Sequence, residues 1–334
     1  MGRFTVIGAG ALGTLFAVRL SKAGHEVEVV VRRAERKAEI EAAGLRLTDA
    51  VSGSEEKSAR AVIKAFPRVR LWEEKEAFGG KDGSGPHFIL LAVKQSAITR
   101  ELGLELARRM GPSAWMVCLQ NGIGHLETLA AHVPVERLLA AVTTEGAMIS
   151  SAGEAVHTGS GTTWVGAAGD ERGEVSEIAQ KNLVYWLQLA GFSASMSKNI
   201  SSRIWQKLLI NAVINPLTAL LRVPNGELLS LPGAGELMRA LYEEGGTLAR
   251  ALGIRLEPDL WEQLLEVCRR TATNRSSMLQ DMTAGRLTEI DAITGGLLRE
   301  ADRSGIALPT HLTVYRLIKA AEAGHRPCRP NIID

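Results

Sequence analysis

The feature that most constrains the fold is a glycine turn set between an apolar run and a helical pattern. The turn is Gly8-Ala9-Gly10-Ala11-Leu12-Gly13, the apolar run is 4–7, and the helical pattern ends at Gly24. Residues 25–31 then alternate as a second strand. A strand, a turn, a helix and a strand within about 30 residues predict a βαβ unit with parallel strands.

The three glycines of this turn have distinct expected roles. Gly8 makes the tight turn, Gly10 lets a pyrophosphate approach the backbone, and Gly13 permits close packing of the helix on the strand. The helix N-terminus offers free N–H groups and a partial positive charge to phosphates. Because the motif follows a strand and opens a helix, we predict dinucleotide binding rather than a purely structural turn.

The end of the second strand indicates which dinucleotide is bound. About 20 residues past the glycines, NAD-binding proteins usually carry Asp or Glu to bond the ribose 2′-hydroxyl. This chain has Arg32 and Arg33 there, followed by Arg36 and Lys37. An arginine can hold a 2′-phosphate with two N–H groups, whereas a carboxylate would repel it. We therefore predict NADP (NADPH) with Arg32 on the phosphate; the alternative is a solvated basic start of the next helix.

Length and composition exclude several other classes of protein. The 334 residues exceed a single-domain length of roughly 150, so two domains are expected. A net charge of +2 argues against a nucleic-acid-binding protein. The histidines are scattered and the cysteines (Cys118, Cys268 and Cys328) lie far apart, so we expect no metal site and no disulfide framework. No run reaches about 18 apolar residues, so we expect no membrane span and a cytoplasmic protein.

The periodicity changes from mixed to helical along the chain. The opening unit is followed by strand patterns at 88–93 and 115–119, a hairpin over 154–157 and 162–165, a helix at 173–190 and a strand at 192–196. After residue 198 the pattern is helical, over 200–221, 233–252, 257–270, 287–304 and 310–323. We predict an α/β Rossmann-type domain over 1–198 and an all-α domain over 199–334. A glycine-rich loop at 79–86 is expected at the surface.

A lysine and two asparagines share one face of the helix predicted at 200–221. Lys207, Asn211 and Asn215 are spaced four residues apart among apolar side chains. Unpaired buried polar groups are costly, so these three either bond neighbouring helices or line a wet pocket. The spacing alone leaves both readings open, although Pro216 favours the pocket slightly because it frees helical carbonyls.

A second polar segment follows at 274–281 and 285–291. The serines at its start are typical of helix capping, and Thr288 is placed to cap a helix whose first turn carries Glu289 and Asp291. From the residues alone, capping is the better explanation of this segment.

Seven segments in order resemble the ketopantoate reductase (2-dehydropantoate 2-reductase) family. They are GAGALG at 8–13, HEVEVVVR at 25–32, AVK at 92–94, QNGIG at 120–124, WQKLLINAVINPLTAL at 205–220, VPNGEL at 223–228 and NRSSMLQDMTAGRLTEID at 274–291. The resemblance covers nearly the whole chain. It implies a 6-phosphogluconate-dehydrogenase-like fold, with a Rossmann-type N-terminal domain followed by an all-α C-terminal domain, and it favours a functional role for the Lys207 face.

The resemblance also implies roles for individual residues. Lys207 matches the family's catalytic lysine, and Glu289 matches an acidic residue shared between cofactor and active site. Besides Asn121 and Glu289, the implied cofactor-binding residues are Gly8, Ala9, Gly10, Ala11, Leu12, Gly13, Arg32, Lys94 and Ala147. Besides Asn121 and Lys207, the implied substrate-binding residues are Asn211, Asn215, Asn225, Asn274, Arg275, Ser276 and Ser277.

Three segments depart from the family pattern. The match at Ala147 is less direct, because TTEGA at 143–147 differs from the usual threonine, histidine and alanine pattern. The loop at 79–86 and the tail RPCRPNIID at 326–334 also lie outside the compact family core. Neither the loop nor the tail touches a motif.

The activity implied by the resemblance is NADPH-dependent reduction of 2-dehydropantoate to (R)-pantoate, a step of pantothenate and coenzyme A synthesis. Its partner is a small-molecule 2-keto acid, with no nucleic acid and no membrane, and a homodimer is compatible with it. One alternative is a related NADP-dependent reductase of another branched 2-keto acid. A second is a non-catalytic NADPH-binding regulator, which retention of Lys207 and Glu289 disfavours.

Overall fold

The computed structural model describes residues 1–49, 62–78, 85–151, 154–169 and 174–324. The chain forms two compact units, one of residues 1–120 and 125–200 and one of residues 121–124 and 201 onward. The short turn at 121–124 thus groups with the later helices. Most of the predicted loop at 79–86, the tail at 326–334 and Cys328 lie outside the described residues.

The first unit contains two sheets and the helices around them. Its strands are β1 (Arg3–Ile7), β2 (Glu26–Val31), β3 (Leu45–Asp49), β4 (Val62–Ala65), β5 (Arg68–Leu71), β6 (His87–Leu91), β7 (Ala114–Cys118), β8 (Leu138–Thr143), β9 (Gly146–Ser151), β10 (Glu154–Gly159), β11 (Thr162–Ala167) and β12 (Ser193–Met196). Its helices are α1 (Ala11–Lys22), α2 (Ala34–Ala43), α3 (Arg100–Arg109), α4 (His125–Ala130) and α5 (Glu174–Leu189).

The main sheet has the order β12-β11-β8-β7-β6-β1-β2-β5. Strand β1 pairs in parallel with both β2 and β6, which confirms the predicted βαβ unit. The pair β8 and β11 is antiparallel. All five residues of β6 are buried, as the apolar run 88–93 predicts for a strand covered on both faces.

A smaller sheet, of order β4-β3-β10-β9, packs against α1. The predicted hairpin over 154–157 and 162–165 is wrong, because β10 pairs with β3 and β9 whereas β11 pairs with β8 and β12. The turn between β10 and β11 does not close a ladder. It crosses from one sheet to the other, and at Gly161 an added Cβ would lie 2.3 Å from the carbonyl carbon of Thr144.

A buried charged group joins the smaller sheet to α1. His157 on β10 is fully buried, with Nε2 at 2.6 Å from Glu145 Oε2 and Nδ1 at 3.1 Å from Asp49 Oδ1. Arg19 of α1 lies 3.5 Å from Asp49 and 3.2 Å from the same Nδ1. The hydrogen bond to Glu145 raises the pKa of His157, with help from Asp49 and against burial and the charge of Arg19. The two carboxylates therefore favour a charged imidazolium inside this unit.

The second unit is helical throughout its regular structure. Its helices are α6 (Ile200–Leu221), α7 (Ala234–Ala251), α8 (Leu260–Arg270), α9 (Ser277–Thr283), α10 (Thr294–Arg303) and α11 (Pro309–Gly324), with α6 starting at the last residue of the first unit. Helix α6 contributes side chains to two apolar clusters, Leu208 and Leu209 in one and Val213 and Leu217 in the other. This two-sided packing explains why the helix is apolar nearly all round.

One predicted helix begins later than its sequence pattern indicates. The periodicity predicts a helix over 287–304 capped by Thr288, but α10 begins only at Thr294. Residues 289–293 form turns in which the N–H groups of Ala292 and Ile293 both bond the carbonyl of Glu289. Thr288 still accepts the N–H of Ile290, but it precedes a turn rather than a helix. Apolar residues spaced for one helical face are equally compatible with such a turn.

Helix α6 is the only helix in the described part of the chain that is long and apolar enough to cross a membrane. Its most apolar window is 67% buried inside the protein, as the core helix of a globular unit must be. Among the described residues, no group of three or more His, Cys, Asp and Glu side chains is arranged to hold a metal ion.

The charged group around His157 predicts a pH-dependent stability. The pKa of His157 in the folded protein lies above the usual value of 6.5. The contribution of His157 to the free energy of unfolding is therefore fully present below about pH 6.5 and is lost as pH rises through the folded pKa. We expect the difference in unfolding free energy between wild type and His157→Gln to be largest near pH 6 and to shrink toward pH 9. Urea denaturation at several pH values measures this, with His132→Gln as the control. A pH-independent difference would contradict the assignment.

Candidate active site

The glycine turn of the first unit has the geometry of a dinucleotide cradle. Gly8 has a φ of +103°, a conformation that residues with a side chain rarely adopt. A Cβ on Gly13 would lie 1.9 Å from the carbonyl oxygen of Gly8, so only glycine allows α1 to approach β1 this closely. A Cβ on Gly10, in contrast, would meet open space. The open position is the one where a pyrophosphate needs access to the backbone.

Two cationic residues follow strands of the main sheet next to this turn. Arg32 directly follows β2 and Lys94 comes shortly after β6, and both side chains are exposed. Because β6, β1 and β2 are adjacent and parallel, the residues after them lie along one edge of the sheet. Arg36 and Lys37, by contrast, pair with Glu39 and Glu74. Ala147 lies on β9 of the smaller sheet, paired with His157.

Lys207 lies in the second unit, on the apolar helix α6. Its neighbours Leu208 and Leu209 are buried, and the Lys207 residue as a whole keeps a part of its surface accessible to solvent. Burial lowers the pKa of Lys207 from the usual 10.5 to about 8, and the negative charge of Glu289 opposes that shift. The ammonium is therefore charged at neutral pH but is a stronger acid than an exposed lysine.

Glu289 and Asn121 meet in the same unit, although 168 residues separate them in sequence. The amide of Asn121 donates to Glu289 Oε2 at 3.0 Å. The turn that carries Asn121 contains Gly122 and Gly124, both at positive φ, and is tied to the following segment by a bond from Ile123 N–H to the carbonyl of Ala292. The side-chain oxygen Oδ1 of Asn121 is buried without a hydrogen-bond partner among the described residues. This oxygen can accept a hydrogen bond from an N–H or O–H group of a ligand.

The other predicted substrate residues lie on α6 and on the segments around it. Asn215 is buried, and its backbone carbonyl accepts a hydrogen bond from the hydroxyl of Thr218. The same hydroxyl lies 2.7 Å from the hydroxyl of Ser276. The N–H of Asn225 donates to the carbonyl of Asn274, so these two asparagines also meet. The side-chain oxygen of Asn225 is buried and has no partner in the described part of the molecule.

The predicted loop 274–277 divides between capping and other contacts. Ser276 is the N-cap of α9 and accepts the N–H of Leu279 at 3.1 Å, so capping accounts for this serine as the sequence suggested. Arg275 is exposed and donates to Thr283, and Ser277 is exposed at the first position of α9. Roles of Arg275, Ser276 and Ser277 toward a substrate stay predictions, as does that of Asn211, which is half-buried on α6.

The sequence match to known families covers both units. A family model described as ketopantoate reductase PanE/ApbA matches residues 4–170, and the model of its C-terminal part matches residues 199–322. The chain belongs to the ketopantoate reductase family. A 2-dehydropantoate 2-reductase of Archaeoglobus fulgidus is 33% identical to this chain, and the alignment covers 96% of the chain and 98% of that protein.

Solved structures of two relatives share the fold. A PanE/ApbA family ketopantoate reductase from Ralstonia eutropha has a TM-score of 0.81 and 27% identity, over 97% of this chain and 100% of its own. A D-mandelate dehydrogenase solved with NADH and anilino(oxo)acetate has a TM-score of 0.82 and 25% identity, over 97% of this chain and 99% of its own. The same fold therefore occurs both in a ketopantoate reductase and in a D-mandelate dehydrogenase.

Sequence reasoning missed the contacts that support the predicted site residues. Glu322 of α11 bonds Thr288, 34 residues earlier in the chain, and Tyr315 and Lys319 bond Asp291. The cluster around His157 likewise joins residues from four separate segments. Only the capping pattern of Thr288 gave a local signal for any of these contacts.

A matched pair of glycine substitutions tests the cradle. Gly13→Ala places a methyl group against a backbone oxygen and should lower stability by at least about 1–3 kcal/mol. Gly10→Ala should change stability by less than about 1 kcal/mol but weaken NADPH binding, because the added methyl occupies the open position. Melting temperatures with and without NADPH measure both effects. A Gly10→Ala protein that NADPH stabilises as strongly as wild type would contradict the cradle.

Proposed function

We propose that this chain is an NADPH-dependent oxidoreductase that reduces 2-dehydropantoate to (R)-pantoate, the step that supplies pantoate for pantothenate and coenzyme A synthesis. One observation carries the proposal: in a member of the ketopantoate reductase family, Lys207 is set among buried apolar side chains with the charge of Glu289 acting on it. Hydride transfer to a ketone develops negative charge on its oxygen, and a desolvated ammonium both stabilises that charge and supplies the proton.

Lys207 is the proposed proton donor. The chemistry supplied by bound NADPH is hydride transfer to the carbonyl carbon of the keto acid. Lys207 donates a hydrogen bond to the carbonyl oxygen and then its proton to the developing alkoxide, leaving a neutral amine that solvent reprotonates. With a pKa of about 8, the ammonium is charged at neutral pH and gives up its proton more readily than an ordinary lysine.

Glu289 and Asn121 hold this donor and the ligands in register. The charge of Glu289 keeps the Lys207 ammonium protonated until the alkoxide forms, and its bond to Asn121 fixes the direction of both side chains. The unpaired carbonyl oxygen of Asn121 is an acceptor suited to an amide N–H of the cofactor or a hydroxyl of the substrate. The side chain of Asn121 therefore serves in this proposal both as a cofactor contact and as a substrate contact.

The proposed cofactor contacts lie on the first unit. The glycine turn, residues 8–13, receives the pyrophosphate, and the exposed guanidinium of Arg32 pairs with the 2′-phosphate. Lys94 adds a second positive charge along the same edge of the sheet. Ala147 contributes a backbone contact from β9.

The proposed substrate contacts lie on the second unit. Asn211, Asn215 and Asn225 bind the 4-hydroxyl, and residues Asn274, Arg275, Ser276 and Ser277 bind the carboxylate. The unpaired oxygen of Asn225 supports an acceptor for a substrate hydroxyl. A keto acid without that hydroxyl would leave buried amides unpaired, at a cost of roughly 1–3 kcal/mol each. The pocket therefore favours hydroxylated branched acids.

The second candidate is a dehydrogenase of a different 2-keto or 2-hydroxy acid that uses NADH. The observation in favour of this candidate is that the D-mandelate dehydrogenase structure, solved with NADH, has the same fold over nearly the whole of this chain. Arg32 argues against it, because an arginine in place of an acid after β2 suits a 2′-phosphate. Unpaired amide oxygens argue for a substrate with a hydroxyl group.

We propose a Rossmann-type domain over 1–198 and a helical substrate domain over 199–334, a cytoplasmic location and compatibility with a homodimer. Sedimentation of the full chain distinguishes a monomer from a dimer.

Steady-state NADPH oxidation tests the proposed function directly. We expect a higher kcat/KM for ketopantoate than for 2-ketoisovalerate or pyruvate, and a preference for NADPH over NADH. Lys207→Met should lower kcat by about 10²–10⁴-fold while the affinity for NADPH changes little, because the lysine acts mainly in the transition state. A preference for an aryl keto acid with NADH would support the second candidate. Wild-type kcat in Lys207→Met would contradict the mechanism.

A further inference from the structure

The segment that carries Glu289 is not a regular helix, so its conformation needs support from elsewhere. Residues 289–293 form turns that precede α10. Ile290, the next residue, is fully buried and anchors the segment by packing. Packing of one side chain does not fix the direction in which its neighbour points.

Helix α11 holds the residue directly before Glu289. The backbone N–H and the hydroxyl of Thr288 both donate to Oε1 of Glu322, each at 2.8 Å. The Glu322 side chain is only 5% exposed, so this carboxylate is committed to the contact rather than solvated. Removing it would leave two buried donors of Thr288 without their acceptor.

The same helix holds Asp291, two residues after Glu289. The Tyr315 hydroxyl donates to Oδ1 of Asp291 at 2.6 Å, and Lys319 donates to Oδ2 at 2.9 Å. Burial alone would raise the pKa of Asp291, but the hydrogen bonds from Tyr315 and Lys319 bring it below its usual value. The carboxylate is therefore ionised throughout the neutral range.

Lys319 joins the two attachments into one network. Its Nζ lies 2.9 Å from Asp291 and 3.1 Å from Oε2 of Glu322. Tyr315, Lys319 and Glu322 are spaced four and three residues apart and so share one face of α11. We call the five residues Thr288, Asp291, Tyr315, Lys319 and Glu322 the α11 clamp.

We propose that the α11 clamp is a positioning device for Glu289, fixing the backbone on both sides of it so that its carboxylate stays on Asn121 and beside Lys207. The inference rests on the proposed function of Glu289. The clamp residues act through Glu289 rather than on a ligand, so Tyr315, Lys319 and Glu322 are positioning residues. A misplacement of about 1 Å at a catalytic group is enough to cost roughly 10²-fold in rate.

The test combines clamp variants with a variant of Glu289. Glu322→Ala should lower kcat, per folded molecule, by about 10- to 100-fold. Glu322→Gln keeps an oxygen for the two Thr288 donors and should recover most of that loss. Tyr315→Phe removes one hydroxyl and should give a smaller loss of kcat. Because the clamp acts through Glu289, the double variants Glu289→Gln/Glu322→Ala and Glu289→Gln/Tyr315→Phe should lie within about twofold of Glu289→Gln alone.

The matched control is Glu266→Ala, which removes a carboxylate from an exposed ion pair with Arg269 on α8 of the same unit. It should leave kcat unchanged. Melting temperatures of all variants separate loss of fold from loss of rate. Normal kcat per folded molecule in both Glu322→Ala and Tyr315→Phe, or losses that multiply with that of Glu289→Gln, would overturn the clamp alone. Normal kcat in Glu289→Gln would overturn the proposed role of Glu289 and the clamp with it.

Discussion

One largely desolvated positive charge organises the helical unit. The ammonium of Lys207 sits on a helix whose other side chains pack into two apolar clusters, and burial of a charge costs several kcal/mol unless partners replace the lost water. Glu289 supplies the opposite charge, and its own direction is set by the amide of Asn121. The apolar helix, the turn at 121–124 and the segment after α9 are therefore constrained together by a single electrostatic requirement.

The same balance of burial and counter-charge suits Lys207 to the proton donation proposed for it. Full hydration would leave its pKa near 10.5, too high for efficient proton donation at neutral pH, and burial without a counter-charge would lower the pKa further. The balance of burial and counter-charge places the pKa at about 8, closer to neutral pH, where a general acid is more effective. In the first unit a different constraint holds: Gly8 and Gly13 are dictated by backbone geometry, and Gly10 leaves space open for a ligand.

Local patterns predicted the parts of the fold that depend on near neighbours. The unit β1-α1-β2, the buried strand β6 and the placement of Lys207, Asn211 and Asn215 on one face of α6 follow from periodicity and glycine spacing. The assignment of β10 and β11 to different sheets does not, because their partners β3 and β8 come from distant segments. Periodicity also could not separate the turns at 289–293 from the start of a helix.

The site shows the same limit. From spacing alone, the face with Lys207, Asn211 and Asn215 could either bond neighbouring helices or line a wet pocket. The resemblance to a known family favoured a functional role for it. The contact of Asn121 with Glu289 and the support of Thr288 and Asp291 by α11 join residues far apart in the chain, for which no single segment carries a signal. Tyr315, Lys319 and Glu322 of α11, to which the sequence patterns assigned no role, hold a turn in the folded unit.

The most direct test of the account is the pKa of Lys207 itself. It can be measured by titrating the protein with ¹³C-labelled lysine by NMR and assigning the resonance by its absence in Lys207→Met. We expect a pKa of about 8 in the wild type and a lower value in Glu289→Gln, because the carboxylate raises the pKa of Lys207. A wild-type pKa near 10.5, or a pKa that does not fall when Glu289 loses its charge, would contradict it.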